Sequence, residues 1–201
     1  MLLTKNISLF RDGNRIFENI NLSLGSGKII GLKGKNGSGK TSLIKTILCI
    51  LEPTSGSLFW KGKNIEKNLY DFYNNITYIA DRTSSLKQLT VTENIKIWKN
   101  IFISKINDEQ IEKILITLKL NNYKNKKTNI LSLGETKKLE LLRLIIENKK
   151  IWILDEPFTN LDTEAVDVIK QTFEDHCKKE GSIIFSSHQS VQINTTEDLL
   201  L

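Results

Sequence analysis

Apolar residues recur along the chain in two patterns, as short alternating or continuous runs and as longer stretches with helical spacing. Alternating apolar and polar positions predict two strands near the start, Leu3–Phe10 and Arg15–Leu24, joined by a turn at Asp12-Gly13-Asn14. Short runs that are almost wholly apolar predict further strands, which is typical of a parallel sheet covered on both faces. These runs are Lys28–Lys33, Ser57–Lys61, Ile76–Ala80, Ile151–Leu154 and Ser182–Ser186.

Helical spacing of apolar residues predicts helices between these strands. The predicted helices are Thr41–Leu51, most of Val91–Leu120, Gly134–Glu147 and Thr163–Lys179. In the helical middle, two apolar faces are expected, one with Ile95, Trp98 and Phe102 and the other with Ile111, Leu115 and Leu118. The sequence therefore predicts an α/β fold with a mostly parallel core sheet, an N-terminal antiparallel β patch and a helical sub-domain inserted over roughly residues 85–145.

Composition narrows the class of protein. The chain has 201 residues, of which 39% are hydrophobic and 26% charged, so it is expected to form one ordered domain. Its net charge of +6 raises the question of nucleic acid, but only four of the 29 basic residues are Arg, the side chain that base and phosphate contacts favour. We therefore expect solvated surface lysines and no nucleic-acid partner.

Cysteine spacing and the N-terminus bear on the compartment. Cys49 and Cys177 match no metal-binding or redox spacing, which favours a reducing compartment. The first residues lack the layout of a signal peptide, and no run of about 18 apolar residues is present, so we expect a cytosolic chain or one bound to the cytosolic face of a membrane. The pair His176-Cys177 lacks a haem-attachment pattern, and both side chains are expected on a helix surface.

A glycine-rich segment after the predicted strand Lys28–Lys33 matches the phosphate-binding pattern G-x-x-x-x-G-K-[ST]. Its glycines allow backbone N–H groups to surround phosphate oxygens, and the following helix start adds positive partial charge. Lys40 is predicted to reach the β- and γ-phosphates of ATP, and the Thr41 hydroxyl to bind Mg²⁺. A glycine-rich turn without a ligand is the alternative, but the flanking strand and helix favour a P-loop. The predicted ATP-binding residues are Gly34, Asn36, Gly37, Ser38, Gly39, Lys40, Thr41 and Ser42.

Two carboxylates follow the predicted strand Ile151–Leu154, at the edge where ligands bind in open α/β sheets. Asp155 is predicted to hold Mg²⁺ through water, as in other P-loop NTPases. Glu156, directly after it, is predicted to polarise the water that attacks the γ-phosphate. The alternative is a plain helix start, because Asp-Glu-Pro also suits a helix cap.

A second anion site is predicted at the start of the helix Gly134–Glu147. The Ser132 hydroxyl and the Gly134 amide lie where a helix start favours negative charge. One nucleotide seldom needs two phosphate cradles in one chain, so we expect this cradle to serve the ATP of a second chain in a two-fold dimer. His188, after the last core strand, is predicted to contact the γ-phosphate, the alternative being a merely exposed histidine.

These motifs, in this order and spacing, resemble the nucleotide-binding domain of ABC transporters. In family terms they are the Walker A loop Gly34–Thr41, the signature Leu131–Glu135, the Walker B segment Leu154–Glu156, the D-loop Thr159–Asp162 and the switch histidine His188. The resemblance implies one ATP-binding domain over residues 1–201, a second ATP-binding subunit and integral-membrane partners. It also implies MgATP hydrolysis with Lys40, Glu156 and His188 as catalytic residues. The partner chain's ATP would meet Ser132, Gly134 and Glu135, and Asp162 would belong to the D-loop.

A closer resemblance is to the ATP-binding subunit of the haem exporter of c-type cytochrome maturation. It rests on the segments Ser57–Gly62, Leu89–Ile95, Ile151–Asp162 and Gly181–Gln189. It implies that the chain hydrolyses ATP to help release a haem-loaded chaperone and meets haem only indirectly. It further implies membrane subunits of cytochrome c maturation, docked near Ser84–Trp98, and a peripheral position on the cytoplasmic face of the inner membrane. The ATPase of another ABC transporter, for a lipid, ion or small molecule, and a non-hydrolysing ATP-sensing module are the alternatives.

The chain departs from the family pattern in its signature and before its helical middle. In the signature, usually LSGGQ, Leu133 and Glu135 replace a Gly and the Gln. Asp81-Arg82 stands where the family has a Gln that links Mg²⁺ to the membrane subunit, and the aspartate could still serve the metal through water. The residue that stacks on adenine is expected near Phe10 or Arg11, with Arg11 acting through a cation–π contact.

Overall fold

Two sheets form the framework of the molecule, a computed structural model that describes residues 1–188, 191, 193 and 196–201. Every strand predicted above is present within these residues. The strands are β1 (Leu2–Arg11), β2 (Asn14–Leu24), β3 (Ile29–Lys33), β4 (Ser55–Trp60), β5 (Lys63–Asn64), β6 (Ile76–Ile79), β7 (Ile151–Leu154), β8 (Ser182–Ser187) and β9 (Thr196–Leu200).

The two sheets differ in strand direction. The N-terminal sheet has the order β2-β1-β4-β5 and is antiparallel. The core sheet has the order β6-β7-β8-β3-β9 and is parallel throughout. The predicted α/β fold with a parallel core and an antiparallel patch is confirmed, and the parallel arrangement brings the carboxyl ends of β3, β6, β7 and β8 to one edge.

Helices connect and cover the strands. They are α1 (Lys40–Ile47), α2 (Leu69–Asn74), α3 (Val91–Ile101), α4 (Asp108–Thr117), α5 (Leu133–Glu147) and α6 (Thr163–Lys178). The first helix ends earlier than predicted, just before Cys49, whose φ of 54° is left-handed. The helical stretch 91–120 is divided, because Ile103 has a left-handed φ of 49° and the Asn107 side chain caps the start of α4.

The core lies on both faces of the parallel sheet, as its apolar strands predict. Along β7, Ile151 and Ile153 face a cluster formed with α1, α2 and the antiparallel sheet. Trp152 and Leu154 face the opposite cluster, formed with α3, α4, α5 and α6. This second cluster runs without interruption from the helical middle to the sheet, so the sub-domain over 85–145 stays a prediction. The two apolar faces predicted for the helical middle both pack into this cluster, and Phe102 is the one of their six side chains that is only partly buried.

Some elements escaped prediction, and one expectation was wrong. The strands β5 and β9 and the helix α2 are short and rich in polar residues, so they carry no clear period.

His176 does not stand free on a helix surface, because α6 packs against the sheet and stacks the imidazole on Trp152 with ring centroids 3.6 Å apart. Burial lowers the pKa of His176 to about 4, so the ring is neutral.

Candidate nucleotide-binding site

The loop between β3 and α1 has the close packing of a phosphate cradle. A Cβ at Gly34 would lie 2.4 Å from the Ser38 Oγ and 2.7 Å from the Leu201 carbonyl oxygen. Gly39 has a φ of 100°, and a Cβ there would lie 3.0 Å from the Ile16 carbonyl oxygen. Glycine is therefore required at both positions, and the loop places its backbone where a ligand can approach closely.

Lys40 is buried inside this loop. Its Nζ donates hydrogen bonds to the carbonyl oxygens of Gly34 at 2.8 Å and Lys35 at 3.1 Å. The same ammonium lies 3.9 Å from the Glu156 Oε1 atom. A phosphate oxygen is a stronger acceptor for an ammonium than a carbonyl oxygen, so these bonds can be exchanged for bonds to an anion.

Two further observations show that the loop fits a phosphate group. Within the part of the chain that the structure describes, the buried Ser38 hydroxyl has no hydrogen-bond partner, which is costly unless a ligand supplies one. The start of α1 has neither a side-chain cap nor an acidic residue in its first turn, so its positive partial charge is uncompensated. Of the other predicted residues, Asn36 and Gly37 are exposed and Ser42 is half-buried on α1.

Asp155 is the buried centre of a hydrogen-bond network at the end of β7. Its Oδ2 accepts a hydrogen bond from the Thr41 hydroxyl at 2.8 Å, and its Oδ1 accepts one from the Ser186 hydroxyl at 2.6 Å. The Ser186 Oγ in turn accepts the Glu156 N–H at 2.9 Å. Ser186 was missed by the sequence reasoning, although its place at the end of an apolar strand, just before His188, was a usable signal.

The oxygens of Thr41 and Asp155 suit Mg²⁺, which prefers hard oxygen ligands. Within the described part of the chain, no group of three or more His, Cys, Asp or Glu side chains could hold a metal ion by itself. Mg²⁺ is commonly bound by one or two protein oxygens together with substrate phosphates, and the donor set here fits that mode.

Glu156 lies between two basic groups. Its Oε2 is 2.9 Å from the His188 Nδ1 and accepts a hydrogen bond from the Thr159 hydroxyl at 3.4 Å, while Lys40 lies on the other side. Its backbone has a left-handed φ of 49°, a conformation that costs about 1–3 kcal/mol in a non-glycine residue and persists where neighbouring bonds hold it. The carboxylate is thereby fixed beside Asp155 and the phosphate cradle.

The start of α5 is closed by its own side chains. The Ser132 Oγ accepts the Glu135 N–H at 3.2 Å, and the Glu135 Oε2 accepts the Ser132 N–H at 2.7 Å. Although burial raises the pKa of Glu135, hydrogen bonds from Tyr123 and Ser132 outweigh it and hold the pKa below its usual range. A Cβ at Gly134 would lie 2.5 Å from the Asn160 carbonyl oxygen, so glycine permits the close approach of α5 to the segment 159–162.

Asp162 joins α5 to α6. Its Oδ1 accepts the Ala165 N–H at 2.8 Å and caps α6, and its Oδ2 accepts a hydrogen bond from the Lys138 Nζ at 2.6 Å. The hydrogen bond from Lys138 is the main cause that lowers the pKa of Asp162. Within the described residues, no recorded contact joins Ser132 or Gly134 to the P-loop or to Glu156.

Comparison with known proteins decides the family. The sequence model of the protein family described as ABC transporter matches residues 17–159 of this chain. The chain belongs to the ABC transporter family. Two relatives carry the name cytochrome c biogenesis ATP-binding export protein CcmA. The one from Aliivibrio fischeri is 31% identical over 197 residues, covering 98% of this chain and 96% of the relative. The one from Reclinomonas americana is 34% identical over 203 residues, covering 100% of this chain and 90% of the relative.

The fold agrees with a solved ABC structure. An ABC transporter ATP-binding protein from Pyrococcus furiosus superimposes with a TM-score of 0.83 at 25% identity, covering 98% of this chain and 96% of that one. The chain is thus an ATP-binding subunit of the ABC transporter type, and such subunits typically dimerise and pair with membrane subunits. None of the helices described in this chain is long and apolar enough to cross a membrane.

Arg11 and Asp81, predicted from the sequence to contact adenine and to serve the metal, lie in different surroundings. Arg11 is exposed at the end of β1, opposite Asn14, and its role at adenine stays a prediction, as does that of the neighbouring Phe10. Asp81 lies 3.9 Å, through its Oδ1, from the Nζ of the buried Lys137 on α5. No described contact brings Asp81 to Thr41 or Asp155, so its part in metal binding also stays a prediction.

Lys137 is a charged residue that the sequence reasoning missed. Burial lowers its pKa, and the carboxylates of Asp81, Asp155, Glu140 and Glu156 act in the opposite direction. Their influence places the Lys137 ammonium within electrostatic range of Asp155 and Glu156 at the end of β7. A doubled lysine inside an apolar helical pattern was the available signal, and only the fold shows that both Lys137 and Lys138 are buried.

Proposed function

We propose that the chain hydrolyses ATP with Mg²⁺ at the edge formed by the P-loop, Asp155 and Glu156. The observation that carries this proposal is the position of Glu156, a fixed carboxylate between Lys40 and His188 and next to the Asp155–Thr41 pair. A carboxylate at that place can orient a water molecule beside a bound triphosphate.

Each residue has a role in this proposal. Lys40 exchanges its carbonyl partners for the β- and γ-phosphates, and the Ser38 hydroxyl gains the partner it lacks. Thr41, and Asp155 through water, would hold Mg²⁺, and the bound ion would supply positive charge against the phosphate oxygens. Glu156 accepts a hydrogen bond from the attacking water and aims it at the γ-phosphorus, and His188 holds the Glu156 carboxylate. The water oxygen bonds to the γ-phosphorus while the bond from that phosphorus to the bridging oxygen breaks. The proton of the water passes to Glu156 and then to the phosphate, so that ADP and inorganic phosphate are released.

Phosphate release by the purified chain, alone and with its partners, tests hydrolysis. Glu156→Gln is expected to lower the turnover rate by about 100-fold while MgATP binding is retained, because the amide is a poor base. Glu164→Gln, an exposed position paired with Lys119, is the matched control and is expected to keep normal turnover. Normal turnover in Glu156→Gln would refute the assigned role, and MgATP binding without any phosphate release by the natural chain would favour an ATP-sensing module.

The proposed working unit is a dimer with two ATP molecules between the chains. Ser132, Gly134 and Glu135 form a second helix start. Among the described residues it has no contact with the P-loop of the same chain, which supports a role at the partner's nucleotide. The same arrangement would place Asp162 and its D-loop at the interface. Glu156→Gln with MgATP is expected to run as a dimer in size-exclusion chromatography with light scattering, and a monomer at all concentrations would contradict the arrangement.

We further propose that this ATPase powers haem export in c-type cytochrome biogenesis, as a peripheral subunit on the cytoplasmic face of the inner membrane. The names of the relatives, which match over nearly the whole chain, support this. Membrane subunits of cytochrome c maturation are the expected partners, docked near Ser84–Trp98, and haem would not touch this chain.

Co-purification with membrane subunits, identified by mass, tests the transport assignment. The expected partners are those of cytochrome c maturation, and ATP-dependent release of a haem-loaded chaperone should require intact Glu156. Stable association with the subunits of a lipid, ion or small-molecule transporter would replace this assignment and leave the ATPase proposal unchanged.

A further inference from the structure

A cavity lies at the end of α1, away from the nucleotide-binding edge. It has a volume of about 240 Å³ and is enclosed by the last turn of α1, the segment 49–53, β4 and the short 3-10 helix Ile65–Asn68. Thr46 on its wall follows Lys40 by six residues, which is about 9 Å along α1. Pockets for drug-sized molecules measure roughly 300–1,000 Å³, so this cavity suits a smaller ligand.

The hydroxyl of Thr46 indicates that the ligand has a polar atom. Thr46 is fully buried, and among the described residues its Oγ1 has no hydrogen-bond partner. A threonine inside a helix can donate to the carbonyl oxygen four residues earlier, as Thr117 on α4 and Thr172 on α6 do in this chain. Thr46 lacks that bond, so a ligand atom that pairs with its hydroxyl would relieve an unfavourable buried group.

The charge of the cavity is opposite to that of the chain. Of the described residues that line it, two are carboxylates, Glu52 and Glu66, and none is Lys or Arg, although the chain has 29 basic residues and a net charge of +6. Neither carboxylate has an ion-pair partner within the described part of the chain. The Asn64 Oδ1 accepts the Glu66 N–H at 2.9 Å and so fixes the backbone of Glu66 beside the cavity. Two unpaired carboxylates favour a cation.

The rest of the wall is apolar and chemically inert. Leu58 and Ile65 are buried and line the cavity. Burial, with a smaller contribution from the Glu66 carboxylate, raises the pKa of the Cys49 thiol to about 11. This thiol is therefore protonated at neutral pH and is a poor nucleophile, so a ligand is held by non-covalent contacts. The matching ligand has a short apolar body between a polar atom and a positive charge.

We propose that this cavity binds a short amino alcohol. The ligand hydroxyl pairs with Thr46, the methylene chain contacts Leu58 and Ile65, and the ammonium pairs with Glu52 and Glu66. The site does not depend on the proposed ATPase function, because none of these residues belongs to the nucleotide-binding edge.

Protein-observed NMR of the full chain with four matched probes tests the site. Aminobutanol, with its hydroxyl and ammonium at opposite ends, carries both polar groups. In the other probes, n-butylammonium lacks the hydroxyl, butanediol with terminal hydroxyls lacks the charge, and hydroxybutyrate with a terminal hydroxyl reverses the charge. Aminobutanol is expected to give saturable amide shifts in 46–58 and 64–69 with a dissociation constant of about 1–10 mM, which is normal for so few atoms.

The other probes should bind more weakly, each for a stated reason. The affinity of n-butylammonium should be about 3–10-fold lower, the loss expected for one hydrogen bond. Butanediol should bind about tenfold more weakly, because charge-assisted pairs are stronger than neutral ones. Hydroxybutyrate should give no saturable shift, because the carboxylates repel it.

Substitutions assign these differences to residues. Thr46→Val, which removes the hydroxyl at nearly constant volume, should bring aminobutanol to the affinity of n-butylammonium. Its urea unfolding midpoint should stay unchanged or rise, because the unpaired hydroxyl is gone. The double variant Glu52→Gln/Glu66→Gln should bring aminobutanol to the affinity of butanediol. Glu109→Gln, at an exposed position paired with Lys113 on α4, is the matched control and should keep the natural affinity.

Several results would overturn the site. These are equal affinities of aminobutanol and n-butylammonium for the natural chain, unchanged affinity in Thr46→Val or in the double variant, and shifts that do not saturate in 46–58. Loss of aminobutanol binding on addition of MgATP would place the ligand at the nucleotide-binding edge and would also contradict the proposal. A Thr46→Val chain that fails to fold would show that the hydroxyl has a structural partner. Absence of phosphate release by the chain would refute the ATPase proposal alone.

Discussion

The starts of α1 and α5 both lie in glycine-containing motifs, yet they differ as anion sites. At α1, no side chain caps the helix, no acidic residue lies in the first turn, and the buried Ser38 hydroxyl has no partner among the residues that the structure describes. At α5, Ser132 and Glu135 cap each other's N–H groups, so a carboxylate of the chain already occupies the helix start. The first site is open to a phosphate, whereas the second must exchange bonds before one can bind.

In the proposed dimer, this difference suits a first site that binds nucleotide within its own chain and a second site that closes later over the nucleotide of the partner chain. A phosphate at α1 gains unused donors at once. The phosphate of a nucleotide bound to a second chain would have to displace the Glu135 carboxylate at the start of α5 or lie beside it. Either arrangement would lower the affinity with which α5 closes over that nucleotide. In the proposed dimer, Glu135, which stands where the family usually has Gln, would therefore affect how readily two chains close.

The largest expected effect is at the first site. Lys40→Ala should weaken MgATP binding by about 10–100-fold, because a charge-assisted bond to phosphate contributes roughly 1.5–3 kcal/mol. Isothermal titration calorimetry measures the affinity. Lys45→Ala, in the last turn of the same helix, is the control that removes a lysine outside the loop. Equal binding by Lys40→Ala and the natural chain would show that the loop is not the phosphate site.

Next in size is a change at the second site. Gly134→Ala should lower the free energy of unfolding by about 1–3 kcal/mol, because the new Cβ would meet the Asn160 carbonyl oxygen at 2.5 Å. Urea unfolding followed by circular dichroism measures it. MgATP affinity at α1 should be unchanged. A loss of affinity equal to that of Lys40→Ala would remove the distinction between the two sites.

A smaller effect is expected from Glu135→Gln. Glutamine can keep the reciprocal cap, so unfolding should change by no more than about 0.3–1 kcal/mol, the size of a helix-dipole contribution. Removal of the negative charge should make MgATP-driven dimerisation a few-fold tighter in the Glu156→Gln background, as measured by analytical ultracentrifugation. Weaker dimerisation would indicate that the carboxylate itself takes part in closure.

The smallest effect concerns pH. Because the pKa of Glu135 is lower in the folded chain, its ionised form stabilises the fold above its ordinary pKa of 4.5, and this contribution disappears as pH falls through the lower folded value. The unfolding free energies of the natural chain and Glu135→Gln should therefore keep a constant difference from pH 7 to about 5.5 and converge in more acidic solution. Titration by urea unfolding at several pH values measures this, and a difference that grows on acidification would contradict the sign.

Much of the site was predictable because its residues follow strand ends. The run Ile151–Leu154 is apolar throughout, so its strand and the placement of Asp155 and Glu156 at the sheet edge follow from local pattern. His176 and Lys137 were not predictable in the same way. Each stands at a polar position of a helical pattern, and only the packing of its helix decides that Lys137 is buried and that His176 is half-buried against Trp152.

By itself, the sequence determined which segments form strands and helices, the order of the motifs and the identity of the P-loop, because these depend on periodicity and on spacing over a few residues. Only the tertiary structure decided that Glu135 closes its own helix start, that Lys137 faces Asp81 and that Glu140 holds the segment 83–85. The last two contacts join residues about 56 positions apart, and no local pattern specifies such pairs, since their geometry arises from how α5 packs beside β6.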